Sequence, residues 1–139
     1  MIVVDTNVLS EAMRERPDPA VAAWLQGQTA LEAFTTAISK AEILYGIEIL
    51  PQGRKRAALS RVADLIFFET LAGRVLGFDE AAAPHYAQIA AARKASGRAV
   101  KTADAQIAAI VRLHGATLAT GNTRDFEGCG IRVVNPWGR

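Results

Sequence analysis

The stretch IVVDTNVLSE, residues 2–11, runs three β-branched apolar residues straight into an acid. A continuous apolar run, rather than an alternating one, reads as a strand covered on both faces, as in a parallel sheet between helices. Thr6 and Asn7 interrupt the run, and a helical pattern, NVLSEAM, follows. Asp5 is therefore expected at the carboxyl end of a buried strand, where open α/β sheets bind their ligands. It also has the residue type of a helix N-cap, and that reading stands beside the functional one.

The rest of the chain repeats the alternation. RERPDPA (14–20) breaks the first helix with two prolines, and Asp18 and Pro19 open a second. EAFTTAI (32–38) reads as a strand and SKAEILYGIEIL (39–50) as a helix, with Ser39 as N-cap and Glu42 at capping-box spacing. RKRAALSRVADLIFF (54–68) is an amphipathic helix and RVLGF (74–78) a short strand. DEAAAPHYAQIAAARKAS (79–96) reads as a helix capped by Asp79, with Pro84 near its start. TADAQIAAIVRLHG (102–115) is a helix closed by Gly115, ATLATGN (116–122) a strand and turn, and IRVVNP (131–136) a last strand. Strands alternating with helices predict an α/β domain with a mostly parallel sheet and helices on both faces.

Composition bounds the function. At 139 residues the chain is expected to be a single domain, 1–139. Half of its residues are hydrophobic, enough for a packed core. No apolar run approaches the roughly 20 residues of a membrane span, and the start lacks the pattern of a secretory leader. The lone Cys129 excludes an internal disulfide. A soluble cytoplasmic protein, without membrane contact, is the expectation.

Four acids are expected to be partly buried. Asp5 ends the first strand. Glu42 aligns with Tyr45, Gly46 and Ile49, and Asp104 with Ile107, Ala108 and Val111, on their helices. Asp125 follows a strand in TGNTRDF. A carboxylate on an apolar stripe is costly unless it is paired, hydrogen-bonded or on a metal. Each acid also has a plainer reading, as cap, helix-dipole partner or turn residue.

Taken in order, VVDTNVLSE, AEILYGI, TADAQIAAIV and LATGNTRDF with VVNP resemble the motifs of the PIN-domain family, across essentially the whole chain. They most resemble VapC-type toxins of bacterial toxin–antitoxin pairs, in the FitB-like branch. The resemblance implies a Rossmann-like, three-layer α/β/α fold. It matches Asp5, Glu42, Asp104 and Asp125 to the family's four acids, and Thr6, Asn7, Thr120 and Asn122 to its small polar residues. It implies an endoribonuclease that uses Mg²⁺ or Mn²⁺, ions suited to oxygen ligands with retained water. In such chemistry a metal-activated water attacks phosphorus in line. One ion and two ions both remain open. The resemblance further implies a homodimer, assembly with a small antitoxin that occupies the groove, and DNA contact only through that antitoxin. VKTAD places Lys101 and Thr102 ahead of Asp104, where many members of the family carry apolar residues or proline; Lys101 and Arg98 are candidate RNA contacts, with a solvated role as the alternative.

The charge balance fits a nuclease. The chain has 16 basic and 14 acidic residues; without the four site acids, ten acids remain and the surplus is six positive charges. It concentrates in Arg54, Lys55, Arg56 and Arg61, and in Arg93, Lys94, Arg98 and Lys101. A basic body around an acidic pocket holds phosphates that the pocket alone would repel. A solvated helix face is the competing reading of each stretch.

Other chemistries fit less well. His85 and His114 lie in or at the end of helices, outside any general-base motif, and Cys129 has no histidine near it in sequence. VVDTNVL also resembles the start of haloacid-dehalogenase-type phosphatases, but Asn7 stands where their second acid is required. A receiver module needs a mid-chain acceptor acid at a strand end, and Asp64 sits in a helical pattern instead. A non-catalytic PIN module is the remaining alternative, although all four acids are present.

Overall fold

The computed structural model describes residues 1–138. Five strands, β1 (Ile2–Val4), β2 (Ala33–Thr36), β3 (Val75–Leu76), β4 (Thr117–Ala119) and β5 (Arg132–Val134), form one sheet in the order β3-β2-β1-β4-β5. Every pairing is parallel. Val3 faces Phe34 on one side and Leu118 on the other, and Val4 faces Ala119. The helices are α1 (Thr6–Ala12), α2 (Pro19–Gln26), α3 (Ala37–Glu48), α4 (Arg54–Leu65), α5 (Ala83–Ala95) and α6 (Thr102–Leu113). No helix among the described residues is long and apolar enough to cross a membrane.

The continuous apolar run of β1 has the expected cause. Val3 packs with Ile89, Ile107, Ile110 and Leu118, under α5 and α6. Val4 points the other way, among Val8, Val21, Ile43 and Phe67, under α1 to α4. Successive side chains of a strand alternate faces, so two apolar cores require two consecutive apolar residues. The result is the three-layer α/β/α arrangement.

The chain leaves β1 toward β2 and β3 on one side and later adds β4 and β5 on the other. The strand order thus reverses between β1 and β4, the position at which such sheets open a crevice beyond their carboxyl ends. Asp5 and Thr120 are the residues directly after β1 and β4.

Local boundaries differ from the sequence reading at several points. β2 stops at Thr36, whose hydroxyl accepts the Ser39 amide proton at 3.0 Å, so Thr36 rather than Ser39 caps α3. Ser39 is then a buried residue of the first turn, and Glu42 lies one turn further on, outside a capping box. The segment read as one helix over 54–68 changes pitch after Leu65 into a wider turn, Ile66–Thr70, which buries Phe67 and leaves Phe68 outside. Asp79 caps as expected, but it starts a tight turn, Glu80–Ala82, from which α5 continues. Gly115 adopts φ +59°, a conformation that favours glycine and ends α6.

Candidate functional site

The site is built around Asp5. Its extended backbone makes it the N-cap of α1, and Oδ1 accepts the Thr6 amide proton at 2.8 Å. Oδ2 accepts from the Thr120 hydroxyl at 2.7 Å and from Asn7 Nδ2 at 3.2 Å. The capping reading and the site reading of Asp5 therefore coexist in one side chain.

Thr120 and Asn7 lock the neighbouring loop. Thr120 Oγ1 also accepts from Asn7 Nδ2 at 3.0 Å and from the Asn122 amide at 3.1 Å. Asn7 Oδ1 accepts the Gly121 amide proton at 3.0 Å. A side chain after β1 and the turn after β4 thus satisfy each other's polar groups. The Asn122 backbone takes part, as donor to Thr120 and as acceptor of the Asp125 amide at 3.1 Å.

Thr6 joins the second acid to this cluster. Its hydroxyl donates to Glu42 Oε1 at 2.9 Å and lies 2.9 Å from Ser39 Oγ. Glu42 is exposed, contrary to the expected partial burial. The inward face of α3 is Ser39, Ile43 and Ile47; Tyr45 and Ile49, which share the Glu42 side, are about two-thirds exposed. Asp125 is also exposed, on the short turn Thr123–Phe126. Asp104 is half-buried in the first turn of α6, on the stripe of buried Ile107, Ala108 and Val111.

Electrostatics tie the four acids together. Burial, then the charges of Asp125 and Asp5, push the Asp104 carboxyl up from 3.8 to about 6; Glu42 adds to the effect and Lys101 opposes it. Burial also raises the Asp5 carboxyl, against the hydrogen bonds from Thr120, Thr6 and Asn7, and Glu42 raises it further. Like charges held within reach of one another disfavour ionisation in the absence of a counter-charge. Among the described residues, no three His, Cys, Asp or Glu side chains stand close enough, as placed, to enclose one ion. The arrangement suits a hard cation that keeps several waters and takes one or two carboxylates directly. Asp5 retains acceptor capacity for this, because each carboxylate oxygen has two lone pairs.

A groove of about 1120 Å³ reaches the cluster at Thr6 and Glu42 and runs between α1, α3 and α4. Its floor includes Ile43, Ile47, Leu59 and Val62, and Arg14, Arg16, Arg54 and Lys55 are on its walls. The first basic stretch of the sequence thus contributes to the groove. The second is exposed at Lys94, Arg98 and Lys101, as a solvated face would be, but Arg93 is buried and Arg98 is bound to Glu127 at 2.8 Å. Lys101 is exposed beside Asp104.

Ser39, Gly121 and Arg93 belong to the surroundings of the site; by sequence Ser39 was read only as a helix cap, Arg93 only as part of a basic stretch, and Gly121 was not singled out. Ser39 had a signal in its polar, cap-forming type, but Thr36 performs the capping. Arg93 had one in its spacing, since Ala82, Tyr86, Ile89 and Arg93 follow a helical stripe. Gly121 had none.

Comparison with known proteins agrees with this geometry. A family model described as the PIN domain matches residues 2–128. The chain is 40% identical over 137 residues to a VapC ribonuclease, Y4jK, of Sinorhizobium fredii, covering 99% of this chain and 98% of that one. It superposes on FitAcB from Neisseria gonorrhoeae with a TM-score of 0.93 and 37% identity over the full length of both chains. A structure of FitAB bound to an IR36 DNA fragment gives the same TM-score, 0.93, at 38% identity, covering 99% of this chain and 96% of that one. The match over nearly the whole length, on a parallel sheet that gathers Asp5, Thr120 and Glu42 at its carboxyl edge, places the chain in the PIN-domain family, in its VapC-type, FitB-like branch.

Proposed function

We propose that the protein is a Mg²⁺- or Mn²⁺-dependent endoribonuclease and the toxin member of a VapBC-type pair. The observation that carries this reading is the grouping of carboxylates at the sheet switch point: Thr6 bonds to both Asp5 and Glu42, and the charges of Asp125, Asp5 and Glu42 add to burial in raising the Asp104 carboxyl. Such a cluster favours a multivalent cation, and among the charges that act most on Asp104 the one cation is Lys101. The ribonuclease name of the Sinorhizobium relative points to the substrate class.

Asp5, Asp104, Glu42 and Asp125 would hold the ion or ions, directly or through water. When bound, a divalent ion supplies charge neutralisation for the phosphodiester and a nucleophilic water at neutral pH. The protein's own groups orient and exclude. Thr120 and Asn7 fix the plane of Asp5, and Thr6 aims Glu42 from the same helix start. Above about pH 6 Asp104 is ionised and offers both oxygens. Lys101 and the groove arginines attract the RNA backbone without reading its sequence. Arg98 is a poorer contact, since Glu127 already engages it.

The partners follow from the relatives' assemblies. We infer a small antitoxin seated on the groove, a homodimer that combines with it into larger complexes, and operator DNA bound through the antitoxin, as the FitAB–DNA structure suggests.

The test is cleavage of cellular RNA by the purified protein with Mg²⁺ or Mn²⁺, beside Asp5→Ala. Cleavage should vanish in excess chelator and fall by at least about a hundredfold in the variant. Undiminished cleavage in either case would overturn the mechanism.

A further inference from the structure

Arg93 is the one buried cationic side chain among the described residues, at 7% exposure. It forms no ion pair there. Its guanidinium instead spends its donors on neutral acceptors. Nε donates to the Arg98 carbonyl at 2.6 Å, and Nη1 donates to the carbonyls of Asp125 at 2.8 Å and Glu127 at 3.0 Å. Nη1 also lies 3.6 Å from Cys129 Sγ. Burying a charge without a counter-charge is costly, and a rigid planar fork is what distinguishes arginine for such a task.

The acceptors belong to two segments. Arg98 lies in the connection that leads from α5 to Asp104 on α6. Asp125 and Glu127 lie in the turn that follows β4. Arg93 therefore fastens the segment before one acid to the segment that carries another. The Asp125 backbone is held on both sides of its Cα, the amide by the Asn122 carbonyl and the carbonyl by Arg93. The two acids repel each other, Asp125 being the largest charge effect on Asp104. Two left-handed glycines, Gly128 (φ +75°) and Gly130 (φ +71°), turn the chain in this segment, and a Cβ at Gly128 would meet Arg93 Cδ at 3.5 Å.

We propose that Arg93 is a positioning residue for Asp125: its fork fixes the backbone of the 122–129 turn, so that the Asp125 carboxylate stays opposite Asp104. This rests on reading Asp125 as a site acid. The charge itself is not the device; the fork geometry is.

The test compares wild type with Arg93→Met, Arg93→Lys, Asp125→Ala and the Arg93→Met/Asp125→Ala pair, using two measurements on the full chain. Hydrogen–deuterium exchange reads the turn directly. Mn²⁺ titration by calorimetry reads the site. Both Arg93 variants should exchange faster over residues 123–130 while β1 keeps its protection. Their Mn²⁺ affinity should fall about tenfold, as when an orienting partner of a metal ligand is lost. In the Asp125→Ala background, Arg93→Met should cause no further loss, because residues that act through one group are not additive. Unchanged exchange at 123–130, an equal rise throughout the chain, or a full further loss of affinity without Asp125 would overturn the proposal. So would a lysine variant indistinguishable from wild type. If Arg93→Met does not fold, the lysine variant carries both readouts. If wild type binds no Mn²⁺, the metal-site reading fails separately, and the exchange comparison still decides the role of Arg93.

Discussion

The Thr120 hydroxyl, fully buried after β4, donates a 2.7 Å hydrogen bond to Asp5 Oδ2 across the switch point of the sheet. The same oxygen accepts from Asn7 Nδ2 and the Asn122 amide, so one hydroxyl serves three partners. Thr120→Val keeps the shape and removes all three. The Asp5 carboxylate then loses its shortest hydrogen bond and Asn7 a partner, at a cost of about 1–3 kcal/mol for buried groups left unsatisfied. Chemical denaturation at neutral pH should show this loss, and Thr120→Ser should recover most of it. A valine variant as stable as wild type would mean that the hydroxyl does not hold Asp5.

Glu42 should behave in the opposite way. It is exposed, and its bond with Thr6 lies at the surface. Glu42→Gln removes a charge that raises both Asp5 and Asp104. Stability should change by no more than about 0.5 kcal/mol, as for ordinary surface changes. RNA cleavage should fall about tenfold or more, because a group that binds or orients the ion is lost. Paired denaturation and cleavage assays separate the two effects. A large loss of stability would assign Glu42 a structural role.

The raised Asp104 carboxyl makes a pH prediction. Its folded-state value, about 6, lies above the ordinary 3.8, so the folded chain binds that proton more tightly than the unfolded chain. By linkage, the corresponding stability is complete below the unfolded value and is lost as pH rises through the folded one. Asp104→Asn should therefore raise the melting temperature more at about pH 8 than at about pH 5. Saturating Mn²⁺ at the higher pH should stabilise wild type and do so less for the variant, because an ion that binds only the folded state adds stability. A melting shift independent of pH would show that ionised Asp104 carries no penalty in the fold.

The legible part of this molecule was the part written in local periodicity. Val3 and Val4 announced two cores because a strand cannot bury consecutive residues on one face. Asp104 stood out because Ile107, Ala108 and Val111 fix which side of α6 is inside. Glu42 was misplaced for a related reason. Tyr45 and Ile49 are apolar but face outward, and α3 has apolar residues on several sides. Ser39 and Thr36 are both cap-forming types three residues apart, and only the end of β2 decides between them. Arg93 was counted with a basic surface because its acceptors are backbone carbonyls, two of them more than 30 positions away, which side-chain chemistry does not reveal. The family motifs supplied the grouping of the acids, which periodicity alone left open.

The contact least visible in the sequence makes the last prediction. Trp137, near the end of the chain, lies over Gly121, between Thr120 and Asn122 of the site loop. A Cβ at Gly121 would fall 2.8 Å from one ring carbon of Trp137, closer than real Cβ atoms approach, and 3.0 Å from a second. Gly121 is thus required by close approach and not by a left-handed backbone, since it is absent from the positive-φ glycines. Its amide also donates to Asn7 Oδ1, so a displacement of the loop is passed directly to the cluster around Asp5. Gly121→Ala should cost about 1–3 kcal/mol, as overpacking does. It should also weaken Mn²⁺ binding through the displaced loop. Trp137→Leu alone loses apolar burial, but in the Gly121→Ala background it should be less harmful, because the smaller side chain gives the new methyl room. A double-mutant cycle on denaturation midpoints reads that coupling. Strict additivity of the two substitutions would show that the indole does not press on the loop.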